Sequence, residues 1–266
     1  MSNAKKHLRR IGLAVALFCA TELPFQAIAL PARPQAARTQ VKNIILVHGA
    51  WADGSSWSRL IPLLLAKGYN VTAVQLPLTS LADDAATVKR AIALADGSVI
   101  LVGHSYGGAV ITEAGNDPKV VGLVYVAAFA PDAGQSAGSL SASAPPPPMG
   151  SEARPDAEGF LKLTRTGVFD DFAQDVSPAL KAQLFAAQAP TNVKSLGGNI
   201  TVAAWRTRPS WYVVASNDRA IQPSLEAAMA KKIKATTTTI AASHVAMLSH
   251  PAEVAAVVEK AAAGAN

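Results

Sequence analysis

The sequence predicts an α/β fold: a mostly parallel sheet flanked by helices, with a small helical insertion. Three observations predict it. Short apolar runs recur at NIILVHG (43–49), VTAVQLP (71–77), SVILVGHS (98–105), VGLVYVAAF (121–129), WYVVAS (211–216) and TTTTIAAS (236–243). Helical patterns fill most of the gaps between them, and such alternation argues for parallel strands joined by helical crossovers. One stretch, 131–205, contains no convincing strand and breaks the rhythm. With 266 residues, half of them hydrophobic, the chain can bury one sizeable core.

The N-terminus differs from the rest. Lys5, Lys6, Arg9 and Arg10 precede the apolar IGLAVALFCA, and Ala27 and Ala29 then form a small-x-small pattern. Residues 1–29 therefore read as a secretory signal peptide cleaved after Ala29, which implies a secreted or periplasmic protein. The run from Ile11 to Ala20 is short against the roughly 20 residues of a membrane span, which disfavours an uncleaved anchor. Cleavage would remove four cations and Glu22, taking the formal charge from +6 to +3, so no nucleic-acid partner is inferred. It would also remove Cys19, the only cysteine, which excludes intrachain disulfides, zinc–thiolate sites and a cysteine nucleophile. Residues 30–40 read as a flexible, solvated leader and 41–266 as the folded domain.

Most of the apolar runs are nearly continuous, as expected of strands covered on both faces, while TTTTI is polar enough for an edge. SSWSRLIPLLLAKG and LADDAATVKRAIALADG carry helix start and stop signals. GGAVITEAGND follows the third run, and QPSLEAAMAKKI and PAEVAAVVEKAAA have proline near their first turn, where a missing N–H costs little. Within the insertion, SASAPPPPMG is low-complexity and extended. Val168, Phe169, Phe172, Val176, Leu180 and Leu184 follow at helical spacing, and Ser177-Pro178 makes a helix start. The region about 135–205 is read as a lid, the alternative being ordinary helices packed on the sheet.

Chemistry concentrates at Gly103-His104-Ser105-Tyr106-Gly107. A strand precedes this G-x-S-x-G pattern and a helix follows, the context of a nucleophile elbow. The serine must sit in a strained turn that a neighbouring Cβ would obstruct, and the helix start favours negative charge beside it. A phosphate-binding loop is disfavoured because no Lys-Ser/Thr follows the glycines. A serine hydroxyl needs a base, and the base needs an orienting acid. His244 follows the last strand and is the candidate base, whereas His250 precedes Pro251 at a helix start and reads as a capping or surface residue. Asp218, three residues past a strand, is favoured over Asp132 as the acid. The loop LVHGAW (46–51) should supply an oxyanion donor: Gly49 permits close approach, and the Ala50 amide is favoured over that of Trp51, alongside the Tyr106 amide.

From about residue 41 to 262 the chain resembles the α/β-hydrolases, close to their methylesterase and hydroxynitrile-lyase-like branch. HGAW with Trp57 beyond it, GHSYGG, SWYVVASNDRAIQP and SHVAMLSHP carry the resemblance. It implies a Ser-His-Asp triad, an acyl-enzyme and no cofactor. Lyase members carry a lysine after the base and a hydroxyl residue in the oxyanion loop. Val245 and Ala50 stand there instead, which favours ester hydrolysis.

The leading expectation is a serine hydrolase acting on a small carboxylic ester or lactone, with no cofactor, metal or stable membrane insertion. The alternatives are a small-ligand-binding protein on a hydrolase scaffold and a cofactor-free perhydrolase. Trp51, Phe129, Phe160 and Phe169 are candidate pocket residues, with Leu161 and Phe172 also available from the lid.

Overall fold

Runs of branched apolar residues leave a strand no polar face, so they are stable only where helices cover both sides of the sheet. The computed structural model of the protein describes residues 41–265, so residues 1–40, read from the sequence as a signal peptide and a leader, lie outside the described residues. The chain runs through β1 (Asn43–Val47), α1 (Ile61–Ala66), β2 (Asn70–Ala73), α2 (Leu81–Leu94), β3 (Val99–Ser105), α3 (Gly107–Ala114) and β4 (Val120–Ala128). The insertion carries α4 (Ala137–Ala142), β5 (Ala153–Pro155), β6 (Phe160–Leu163), α5 (Pro178–Ala187), β7 (Thr191–Asn192) and α6 (Val193–Gly197). Then follow β8 (Ser210–Ala215), α7 (Pro223–Lys232), β9 (Thr236–Ile240), α8 (Ala246–Ser249) and α9 (Pro251–Gly264).

Six strands form one sheet in the order β2-β1-β3-β4-β8-β9, with every neighbouring pair parallel. The threonine-rich β9 lies at an edge, as its polarity predicts. Side chains alternate between two cores, one on each face of the sheet. Ile44, Leu46, Ile100 and Val102 pack with Trp57, Leu64, Val254 and Val258. Ile45, Val47, Leu101 and Tyr125 pack on the other side with Val88, Ile92 and Val110.

This strand order fixes where a site can form. The chain moves outward from β1 to β2, then returns to place β3 on the other side of β1. The connections leaving β1 and β3 therefore diverge, opening a crevice at their carboxyl ends. Ser105 ends β3, and the loop with Gly49 and Ala50 leaves β1 beside it.

The insertion differs from its sequence reading. It is not only helical: β5, β6 and β7 form an antiparallel sheet of their own. Strands of two to four residues are too short to show alternation. A turn closed by the Asp156 carboxylate, which accepts from the Glu158 and Phe160 amides, brings β5 and β6 together. Val168 and Phe172 do bury one face of a wide helical turn over residues 167–172. Ser177 caps α5 by accepting from the Leu180 amide. No helix among the described residues is long and apolar enough to cross a membrane.

Candidate active site

The elbow owes its shape to contacts a side chain would destroy. Ser105 has φ +54°, a left-handed conformation that costs a non-glycine residue roughly 1–3 kcal/mol and persists only where its surroundings enforce it. A Cβ on Gly107 would collide with the Val47 and His48 carbonyl oxygens. A Cβ on Gly49 would stand 2.6 Å from that of Ser105, so only glycine lets the β1 loop approach the serine this closely. Trp51, in the same loop, is also left-handed, with φ +57°.

His244 and Asp218 meet behind this elbow. His244 Nδ1 lies 2.6 Å from Asp218 Oδ2, and both side chains are buried. The carboxylate accepts, so Nδ1 carries the proton and Nε2 keeps its lone pair. Nε2 has no hydrogen-bond partner, yet His244 and Ser105 line one cavity. Asp218 Oδ1 accepts from the Ala220 and Ile221 amides at 2.6 and 2.9 Å. The Asp132 carboxylate lies elsewhere, paired with Arg206 and Lys232.

The donors expected for an oxyanion divide cleanly. The Trp51 amide is already committed to Thr191 Oγ1 at 3.0 Å. The Ala50 and Tyr106 amides have no acceptor among the described residues, and both residues line the cavity. His48 orients the Ala50 amide. Its Nε2 accepts from the Leu76 N–H at 2.9 Å, so its Nδ1–H donates to the Gly49 carbonyl at 2.8 Å. That carbonyl and the Ala50 N–H belong to one trans peptide and point in opposite directions. Holding one therefore aims the other. Burial lowers the His48 pKa, which keeps the ring in the neutral form this arrangement needs.

His104, beside Ser105 in sequence, faces away from the cavity. Its Nε2–H donates to the His244 carbonyl at 2.9 Å and its ring lies 4.7 Å from that of His244. Burial, reinforced by His244, holds its pKa well below the usual imidazole range. His250 is half-buried, with Nδ1 against Ser249 Oγ, and makes no side-chain cap bond.

The cavity is about 500 Å³. Among the described residues, no Lys, Arg, Asp or Glu lines it. Trp51 and Phe129 line it, as expected; Phe160 and Phe169 do not. In β6, alternation sends Leu161 to the cavity and Phe160 to the opposite face. Phe169 instead stacks under Arg165, whose guanidinium carbon lies 3.7 Å from the ring centre. Lid residues beyond the expected pocket candidates, including Pro146, Met149 and Leu196, complete the wall. Phe172 packs against the His244 ring at 5.1 Å.

The insertion also grips the loops that carry Trp51, Asp218 and His244. Asp175 accepts from the Ser243 amide, next to His244. Asp171 pairs with Arg219, next to Asp218, and Gln174 donates to the Asn217 carbonyl. Trp51 Nε1–H donates to the Leu161 carbonyl at 3.0 Å. None of these pairings leaves a mark in the sequence, since each joins residues from separate elements.

Comparison with known proteins agrees with the fold. The profile of the alpha/beta hydrolase family matches residues 44–257. The chain is similar to salicylic acid-binding protein 2 of Nicotiana tabacum, 39% identical over 106 residues, or 34% of this chain and 41% of that protein. It is similar to a pyrethroid hydrolase of Sphingobium wenxiniae, 38% identical over 101 residues, or 33% of this chain and 36% of that protein. These alignments thus span less than half the length of either relative. The crystal structure of a pyrethroid hydrolase from Sphingobium faniae superposes with a TM-score of 0.73 at 25% identity, covering 84% of this chain and 98% of that one.

Proposed function

The chain belongs to the alpha/beta hydrolase family, and from that premise we propose that it is a serine esterase for small, uncharged carboxylic esters or lactones. The observation that carries the reading is the His244–Asp218 pair, whose free Nε2 shares a cavity with a strained Ser105. The hydrolase and esterase names among its relatives support the same reaction class.

In this mechanism Ser105 Oγ attacks the ester carbonyl carbon while His244 Nε2 takes its proton. The carbonyl oxygen becomes an oxyanion held by the Ala50 and Tyr106 amides, each such donor lowering the barrier by about 3–4 kcal/mol. Asp218 stabilises the imidazolium and keeps its tautomer. The tetrahedral intermediate collapses, the C–O bond breaks, and His244 returns the proton to the leaving alcohol. Water then loses a proton to His244 and attacks the acyl carbon; the acyl–Oγ bond breaks, His244 hands the proton to Ser105 Oγ, and the acid leaves.

The lining supports an apolar, neutral substrate. Without a lysine or arginine it offers an anionic ligand no ion pair, and it would release a carboxylate product readily. A binding role without turnover is the second reading, favoured only by the name of the tobacco relative. A panel of p-nitrophenyl esters of increasing acyl length, with lactones added, tests both. Hydrolysis by the wild type and its loss in Ser105→Ala support the esterase; an inert wild type supports the binder.

We assign the enzyme to a secreted or periplasmic location on residues 1–29. Intact-mass measurement of the exported protein should show cleavage after Ala29, and retention in the cytoplasm at full mass would overturn the assignment.

A further inference from the structure

Behind the triad lies a second carboxyl group that the mechanism above does not use. Glu226 stands in the first turn of α7 and is fully buried. Its Oε2 accepts from the Ala215 amide at 3.0 Å. Its Oε1 is equally buried and has no donor if both carboxyls are treated as acceptors. What it faces is Asp218: the two meet at Ala215, whose N–H donates to Glu226 and whose carbonyl accepts from the Asp218 amide at 3.1 Å, and the Asp218 carboxylate is near enough to push the Glu226 pKa up. Two acceptors cannot bond to each other without a proton between them.

We infer that Glu226 is protonated and, by donating its proton to Asp218, acts as a positioning residue that holds the carboxylate in line with His244. The donor count says which partner keeps the charge. Asp218 receives the Ala220, Ile221 and His244 N–H groups, all of which stabilise an anion. Glu226 receives one backbone N–H and has no ion-pair partner among the described residues. The other titratable group facing it is Tyr212 of β8, whose hydroxyl donates to the Ala128 carbonyl and is kept neutral by burial. Burial first, and then the Asp218 charge, push the Glu226 pKa well above the usual carboxyl range.

The proton has a catalytic consequence. A single buried anion orients the base and stabilises its cation only when the reaction calls for it. Were Glu226 ionised too, two negative charges would hold a proton on His244 before substrate arrived, and the base would be spent. The extra O–H donor also keeps the Asp218 carboxylate from rotating out of line. Glutamine reproduces both contacts of the acid, since its amide N–H donates where the O–H did and its oxygen still accepts from Ala215. Leucine reproduces neither.

The protonation itself is testable without turnover, whereas the positioning role rests on the esterase reading. Infrared difference spectra of wild type minus Glu226→Gln at neutral pH should show a protonated-carboxyl C=O stretch; carboxylate bands in its place overturn the inference. The second arm measures the rate of fluorophosphonate labelling at Ser105 against pH. Glu226→Leu should label about tenfold more slowly, with the acid limb moved to higher pH because Asp218 has lost a donor and holds the imidazolium more tightly. Glu226→Gln should restore both. An acid limb lowered by about one unit or more in Glu226→Gln would mean that a charge had been removed, and a wild-type profile in Glu226→Leu would remove the positioning role. No labelling of the wild type would instead sink the esterase reading, while the infrared result would still decide where the proton sits.

Discussion

Strand β3 buries every residue from Val99 to Ser105, whereas α5, in the insertion, buries none. The body of the protein is made of long parallel strands under helices, and its polar site groups are pinned within it. Ser105, His244, Asp218 and Glu226 are all buried, and each sits at or just beyond the carboxyl edge of the sheet or on a helix packed against it. The insertion is made of short elements that cannot sustain a core alone. It gains its place by burying Leu163, Val168, Phe172 and Val176 in a core shared with the body and by hydrogen bonding through Trp51, Asn217, Arg219 and Ser243. The difference teaches a division of labour. Groups that must hold a fixed geometry stand on the rigid sheet. Groups that shape the substrate space come largely from the insertion, where side chains can change without disturbing the sheet.

The largest expected effect comes from breaking the body side. Asp218→Asn leaves the volume unchanged but removes the acceptor that sets the His244 tautomer. It should lower kcat by about 10⁴-fold with little change in KM or thermal stability. Steady-state kinetics and a thermal melt check this; loss of activity through unfolding would show that the side chain holds the fold rather than the base.

Changes on the lid side should behave differently. Leu161→Ala trims the cavity while sparing the carbonyl that accepts from Trp51. It should raise KM for a long-acyl ester about tenfold, equivalent to about 1.4 kcal/mol of lost apolar contact, with kcat nearly unchanged. A fall in kcat of the same size would erase the proposed separation between lid and body.

The remaining effect falls on stability rather than on turnover, as a pH dependence. His104 is buried and held neutral in the fold, while in the unfolded chain an imidazole titrates near 6.5. Its folded pKa is depressed, so below about 6.5 the unfolded chain binds a proton that the fold refuses. Stability is therefore lost as pH falls, at up to about 1.4 kcal/mol per unit, and this contribution is intact above about 7.5. His104→Gln keeps a donor for the His244 carbonyl without the titration. Urea unfolding between pH 8 and 5 should show wild type losing ground to this variant only at the acid end; a pH-independent gap would contradict a neutral buried ring.

The same contrast explains what the sequence could reveal. All six main-sheet strands were legible, because continuous runs such as VILVGHS permit few other structures. The elbow was legible because a backbone turn of that shape demands glycines at fixed spacing around Ser105. His244 and Asp218 could be nominated because strand ends deliver them to one rim. The lid was read less well. Its strands are too short to carry a period, so the sequence does not reveal its small sheet, and nothing in the pattern separates Phe160 and Phe169, which lie off the cavity, from Leu161, which joins Pro146 and Met149 in its wall. Glu226 escaped notice because a glutamate in a helix's first turn reads as an ordinary solvated residue until its burial is known.

The central claim is that Ser105 is made nucleophilic by His244. Its most direct test is to treat the protein with a fluorophosphonate and locate the adduct by peptide mass spectrometry, in wild type and in His244→Ala. A single phosphonyl group on Ser105 in the wild type, formed at least a thousandfold faster than in His244→Ala, is the predicted result. An unmodified Ser105, or equal labelling of the two proteins, would contradict it.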